Sequence, residues 1–133
     1  MTIFVETSAL VAIILQEEGW RELAARIDES RETITTATVC FEAVCAISRQ
    51  KQLAPSQAHA IVMETIEVAG IAQAGFLPEM LAHAVHAREA YGKGRHPAAL
   101  NMGDCLSYAA ARHLGASLLF EGHDFSQTDI APA

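Results

Sequence analysis

An α/β fold built around a mainly parallel central sheet is the class this sequence predicts, and three features predict it. Its apolar, β-prone runs are short and lack strict alternation, as in strands covered on both faces. Between those runs lie stretches with apolar residues at i, i+3, i+4 and i+7, the spacing of one helix face. At 133 residues the chain (1–133) has the length of one domain, enough to bury a true core without disulfide or metal staples.

Thr2-Ile3-Phe4-Val5 reads as the first strand, and Thr7-Ser8 ahead of Ala9-Leu10-Val11-Ala12 supplies N-cap chemistry for a helix. Trp20, Leu23, Ala24 and Ile27 place a second helix over Trp20 to Glu29. Thr33-Ile34-Thr35-Thr36 is the second strand, followed by an apolar helix through Val39, Ala43, Val44, Ala46 and Ile47. Pro55-Ser56 opens a helix carried by Ile61, Val62, Thr65 and Ile66, with Gly70 as its stop. Ile71-Ala72-Gln73-Ala74 reads as a third strand, and Pro78 to Tyr91 as a helix with Met80, Leu81, Ala84, Val85 and Ala87 facing inward. Gly92-Lys93-Gly94-Arg95-His96-Pro97 is the one clear loop, rich in chain breakers and basic residues. A helix from Gly103 to Leu114 then ends at Gly115, and Ser117-Leu118-Leu119-Phe120 is the last strand. No repeat, low-complexity tract or linker interrupts this alternation.

Composition narrows the function classes. A hydrophobic share of 51% with 19% charged residues argues against disorder. No apolar run reaches the roughly 18–20 residues of a membrane-spanning helix, and the N-terminus shows no secretory signal. Cys40, Cys45 and Cys105 are odd in number, lie in apolar surroundings and lack zinc-type spacing, as expected of buried thiols in a reducing cytoplasm. The net charge of −7, from 9 basic and 16 acidic residues, predicts weak non-specific attraction to nucleic acid. Phosphate-binding and dinucleotide-binding glycine motifs are absent, as is the G-x-S-x-G elbow of a serine hydrolase.

In parallel sheets, ligands bind beyond the carboxyl ends of the strands, so acids at those ends carry the chemistry. Glu6 follows the first strand, Glu42 lies early in the helix after the second, Asp104 begins the helix after the basic loop, and Asp124 follows the last strand. Their neighbours are apolar or small, as in Val39-Cys40-Phe41-Glu42-Ala43-Val44 and Asn101-Met102-Gly103-Asp104-Cys105-Leu106. A lone buried carboxylate is costly, and four converging ones repel each other unless a divalent cation neutralises them. Hard oxygen donors suit Mg²⁺ or Mn²⁺, the cations of metal-assisted phosphodiester hydrolysis.

Each acid also has a simpler reading. Glu6 is either a helix cap or a site residue, and Glu42 and Asp104 either serve a helix dipole or line the pocket. Asp124 and Asp129 both suit a turn. Ser8 reads as an N-cap whose hydroxyl faces the acids, and Asn101 as a cap or a ligand-orienting amide. His83 and His86 have metal-compatible spacing but no third ligand nearby, which favours plain surface exposure. His123 either tunes the site or decorates a loop.

Taken together, these residues resemble a known family. Phe4-Val5-Glu6-Thr7-Ser8-Ala9-Leu10 is similar to the opening of PIN-domain ribonucleases, the VapC toxins of VapBC toxin–antitoxin modules, where Asp-Thr-Ser-Ala-Leu is usual. Glu42 in Phe41-Glu42-Ala43 resembles the second acid of the family, and Leu100-Asn101-Met102-Gly103-Asp104-Cys105 its third. Leu118-Leu119-Phe120-Glu121-Gly122-His123-Asp124-Phe125 resembles the last, with Thr128-Asp129 trailing. The resemblance spans nearly the whole chain. It implies a PIN-like three-layer α/β/α fold and a Mg²⁺- or Mn²⁺-dependent endoribonuclease, dimeric and held inactive by a VapB-type antitoxin. By the same resemblance Glu6 and Asp104 are the main metal ligands with Asp124 beside them. Glu42 completes the acidic pocket, and Ser8 and Asn101 support it. Two departures stand out: Glu6 where Asp is usual, and His123 where a small polar residue is common. They raise a competing expectation, an attenuated PIN-like module that binds antitoxin without turnover. A phosphatase or DNA nuclease built on the same acids is a third.

Overall fold

The computed structural model describes residues 1–133. Four strands, β1 (Thr2–Val5), β2 (Glu32–Thr36), β3 (Ala72–Ala74) and β4 (Ser117–Leu119), form one sheet in the order β3-β2-β1-β4. Every pair is parallel: Ile3 lies opposite Thr33 and Ser117, and Thr35 opposite Gln73. Parallel pairing needs crossover segments, and six helices supply them: α1 (Thr7–Leu15), α2 (Trp20–Glu29), α3 (Ala37–Lys51), α4 (Pro55–Val68), α5 (Leu81–Tyr91) and α6 (Met102–Leu114). The central strand β1 buries Ile3, Phe4 and Val5, which explains its unbroken apolar run. These residues join Leu10, Val39, Ile47, Val62, Leu100, Tyr108 and Leu118 in one hydrophobic core.

The path of the chain positions the site. From β1 the chain moves outward to β2 and β3, then returns to place β4 on the other flank of β1. The reversal falls between β1 and β4, and in open parallel sheets the crevice outside the carboxyl ends at such a point is where ligands bind. Glu6 directly follows β1, and the segment carrying Asp124 follows β4.

The expected elements are present with shifted edges and several corrected details. The first helix starts at Thr7, with Glu6 as its N-cap in place of the Thr7-Ser8 pair. A carboxylate one methylene longer than Asp still reaches back to the Ser8 N–H, so Ser8 falls inside the first turn. Residues Pro78–Met80 form a 3-10 turn before α5, and Leu81 and Val85 are 62% and 56% exposed, not inward. The buried stripe is Met80, Ala84 and Ala87, because α5 packs one face against α6 and small alanines allow close approach. Cys40 and Cys105 are buried as expected, but Cys45 is exposed on the outer side of α3. His83 is half-buried against the His113 ring, centroids 6.4 Å apart, while His86 is exposed.

Asp129 is more than a turn residue. Its carboxylate accepts from the Tyr108 hydroxyl at 2.7 Å and pairs with Arg112, so it pins the C-terminal segment to α6. No helix is long and apolar enough to cross a membrane.

Candidate active site

Glu6 is fixed from three sides. Its backbone N–H donates to the Leu119 carbonyl at 3.0 Å, which ties the end of β1 to the end of β4. Its Oε2 accepts from the Ser8 N–H at 2.7 Å and from the Ser8 hydroxyl. The Ser8 oxygen in turn accepts from the Glu121 N–H at 2.9 Å. Ser8 therefore links the first acid to the segment that carries the last one. The residue is only 4% exposed, and burial pushes the Glu6 carboxyl up to about 7. The two Ser8 hydrogen bonds oppose that rise, and the charges of Asp104 and Glu42 add to it.

Asp104 sits three residues into the capping turn of α6. Asn101 Oδ1 accepts from the Asp104 N–H at 2.9 Å, and Asp104 Oδ2 accepts from the Asn101 N–H at 3.0 Å, a reciprocal capping box. Asn101 is thus the cap, and its role is to hold Asp104. At 8% exposure, burial pushes the Asp104 carboxyl up to about 6, with smaller contributions from Asp124 and Glu42.

Glu42 projects from α3 towards the start of α6. Its Oε1 accepts from the Thr7 hydroxyl at 3.0 Å, and its carboxylate lies directly over Gly103. Burial raises its carboxyl as well, against the Thr7 hydrogen bond. Asp124 is exposed on the turn after β4, close enough for its charge to act on Asp104. All four acids singled out from the sequence are therefore electrostatically coupled around the β1/β4 crevice. His123, also exposed, makes no side-chain hydrogen bond, and only its carbonyl is engaged, by Ser126.

Sequence reasoning missed two contributors, the contact of Thr7 and the space at Gly103. Thr7 was read as a cap but holds Glu42. Burial pushes the Cys105 thiol up, the Asp104 charge adds to that, and the Arg88 guanidinium opposes it. Gly103 had a legible signal, a glycine at the start of a helical run directly before a candidate acid, which often marks close approach. A Cβ on Gly103 would lie 2.1 Å from Glu42 Oε2, 2.5 Å from its Cδ and 2.6 Å from Oε1. Only the end of a flexible side chain is in the way, so Gly103→Ala is expected to fold normally and displace the Glu42 carboxylate. A drop in activity of about 10-fold or more with an unchanged melting temperature is the expected result. A large loss of stability in a thermal melt would show instead that the backbone cannot accept the methyl group.

The donor set suits a divalent cation. Glu6 and Asp104 are buried acids with no cationic partner, for the one ion pair in the protein is Arg112–Asp129. The converging donors are carboxylate oxygens, the ligands of Mg²⁺ and Mn²⁺. No three Asp, Glu, His or Cys side chains close into a cage. Mg²⁺ needs no such cage, because it keeps several waters and uses one or two carboxylates with substrate phosphate.

The parallel sheet with acids gathered at its carboxyl edge defines a PIN domain, and the PIN domain family model matches residues 3–131. The chain belongs to the PIN-domain family, among its VapC ribonucleases. It is 36% identical over 139 residues to a VapC ribonuclease of Rhizobium meliloti, covering 96% of this chain and 98% of that one. It is also 36% identical to ribonuclease VapC42 of Mycobacterium tuberculosis, covering 97% of each. The fold matches VapC20 of M. tuberculosis, a toxin cleaving the sarcin–ricin loop, with a TM-score of 0.74 at 16% identity over 98% of both chains. It matches VapBC2 of Rickettsia felis, solved with a fragment of promoter DNA, with a TM-score of 0.73 over 99% of this chain and 96% of that one.

Proposed function

We propose that this chain is a Mg²⁺- or Mn²⁺-dependent endoribonuclease, a toxin neutralised by a VapB-type antitoxin. The observation that carries the reading is the pair of buried, cation-free acids, Glu6 and Asp104, at the chain reversal of the sheet. Its relatives are ribonucleases by name, and a neighbour in fold is a toxin–antitoxin pair.

Glu6 and Asp104, with Asp124 at the rim, are the residues that would hold the cation. When bound there, it would lower the pKa of a water and offset negative charge on the transferring phosphate. Glu42 is oriented by Thr7 through Oε1, which leaves Oε2 to accept a proton from the attacking water. Asn101 keeps Asp104 in one rotamer, and Ser8 does the same for Glu6. Cleavage of a mixed RNA pool with and without Mn²⁺ tests the reading. DNA and a phosphomonoester run in parallel distinguish a DNA nuclease or a phosphatase. RNA cleavage that survives EDTA would overturn the cation dependence.

Partners follow from the surface. The exposed Phe41, Leu81, Val85 and Met102 offer apolar area to a second copy of the chain, in keeping with a homodimer. A largely apolar cleft of ≈ 440 Å³ between α3 and α4, lined by Cys40, Phe41, Val44, Pro55, His59 and Met63, suits an apolar antitoxin segment.

One observation favours a second reading, an attenuated nuclease that acts mainly by binding antitoxin. Glu6 turns its carboxylate back onto Ser8 and caps its own helix. The extra methylene moves that group by about 1.5 Å if extended, and octahedral Mg²⁺ tolerates little misplacement. Glu6→Asp, which retains a capping carboxylate, is therefore expected to raise Mn²⁺-dependent cleavage by about 10-fold or more. Equal or lower activity would remove the case for attenuation.

A further inference from the structure

Resting on the ribonuclease reading, we propose that the Gly92–Pro97 loop is a phosphate-binding arm that holds the RNA backbone beside the acids, with Lys93 and Arg95 as its contacts. Between Glu89 and Asp104 the chain has no acidic residue, yet it carries Lys93, Arg95 and His96. The whole molecule has a charge of −7, so this stretch reverses the local sign.

The loop is built rigidly. Tyr91 O accepts from the Leu100 N–H at 2.9 Å and Leu100 O from the Lys93 N–H at 3.1 Å, which closes its stem. Gly92 O accepts from the N–H groups of Arg95 and His96 at 2.9 and 3.1 Å, and Gly94 turns the chain at φ 86°. His96 Nδ1 accepts from the Ala98 N–H at 3.0 Å, which leaves Nε2 as its donor edge. The Tyr91 ring stands edge-on to His96, centroids 5.2 Å apart.

The far end of this stem is Leu100, fully buried and adjacent to Asn101, the residue that locks Asp104. The arm and the catalytic carboxylate thus share one rigid connection. Lys93 and Arg95 are exposed and make no ion pair or side-chain hydrogen bond within the chain. Gly92 is part of the design, since a Cβ there would lie 2.3 Å from the Arg88 carbonyl oxygen. A polynucleotide brings one charge per nucleotide towards four acids, and unpaired cations on the segment leading into Asp104 would offset that repulsion.

The test measures binding of a labelled 20-nucleotide single-stranded RNA of mixed sequence, at salt from roughly 50 to 200 mM, in the Asp104→Asn background. Adding Lys93→Gln and Arg95→Gln is expected to weaken binding by about 10-fold and reduce the log–log salt slope by about 1.4, two contacts at about 0.7 each. An Arg31→Gln, Lys51→Gln pair, beside the start of β1 and at the far end of α3, serves as the charge control and is expected to leave both values close to the parent. Unchanged affinity and slope would overturn the arm. So would an equal loss in the control pair, which would mean only diffuse attraction. Loss of antitoxin binding with RNA binding intact would assign the loop to an acidic protein segment and equally overturn it. Cleavage of the RNA pool by the unsubstituted chain reports separately on the ribonuclease reading, so either reading can fail alone.

Discussion

Asp104→Asn is expected to lower Mn²⁺-supported RNA cleavage by about 10³-fold, several kcal/mol of lost charge stabilisation, while the protein stays folded. The amide is nearly isosteric, and its oxygen can still accept from the Asn101 N–H, so the start of α6 is preserved. Stability at pH 8 should rise. Burial disfavours the charged Asp104, and Asn removes that penalty along with the repulsion from Asp124 and Glu42. A carboxyl held at about 6 in place of 3.8 corresponds to at most about 3 kcal/mol, or several degrees in melting temperature. Circular dichroism melts and a gel-based cleavage assay on the same samples check both halves. A variant that cuts RNA at the parent rate would remove Asp104 from the catalytic centre. One that unfolds would mean that the carboxylate is structural.

The second large effect is a pH-dependent stability reporting on Glu6. Its carboxyl stands at about 7 in the fold against 4.5 for the free group. Between those values the folded chain keeps a proton that the unfolded chain has released, so stability falls as pH rises through this window and levels off above it. Glu6→Gln keeps an acceptor for the Ser8 N–H and removes the titration. The variant's melting temperature should match the parent's near pH 4.5 and exceed it by several degrees at pH 8, a gap of about 3.5 kcal/mol at most. Mn²⁺ should stabilise the parent more at pH 8 than at pH 5, where protons compete for the same oxygens. A constant gap across the range would contradict the burial of Glu6 as the cause of its shift.

Much of the candidate site was legible because acids are costly to bury. That holds for Glu6 and Asp104, which are buried, whereas half-buried Glu42 and exposed Asp124 are marked only by their place early in a helix after a strand and directly after a strand. The supporting hydrogen bonds were not legible. Thr7 and Glu42 are 35 residues apart, and Ser8 meets the Glu121 N–H across 113 residues. No local spacing encodes such a contact. The inward face of α5 was also misread, since Leu81 and Val85 fit a helical stripe as well as Ala84 and Ala87 do. Which stripe is buried depends on how closely α6 approaches, and alanine permits the closer approach.

By itself the sequence determined the α/β alternation and the places of the four candidate acids after strands or at helix starts, because strand and helix periodicity are local properties. Tertiary structure decided which strand lies at the centre, and with it the reversal between β1 and β4 that brings Glu6 and Asp124 to one crevice. It also decided that Glu6, not Ser8, caps α1, and that Glu42 rests on Gly103. These outcomes depend on distances between segments remote in sequence, which are fixed only once the core has packed.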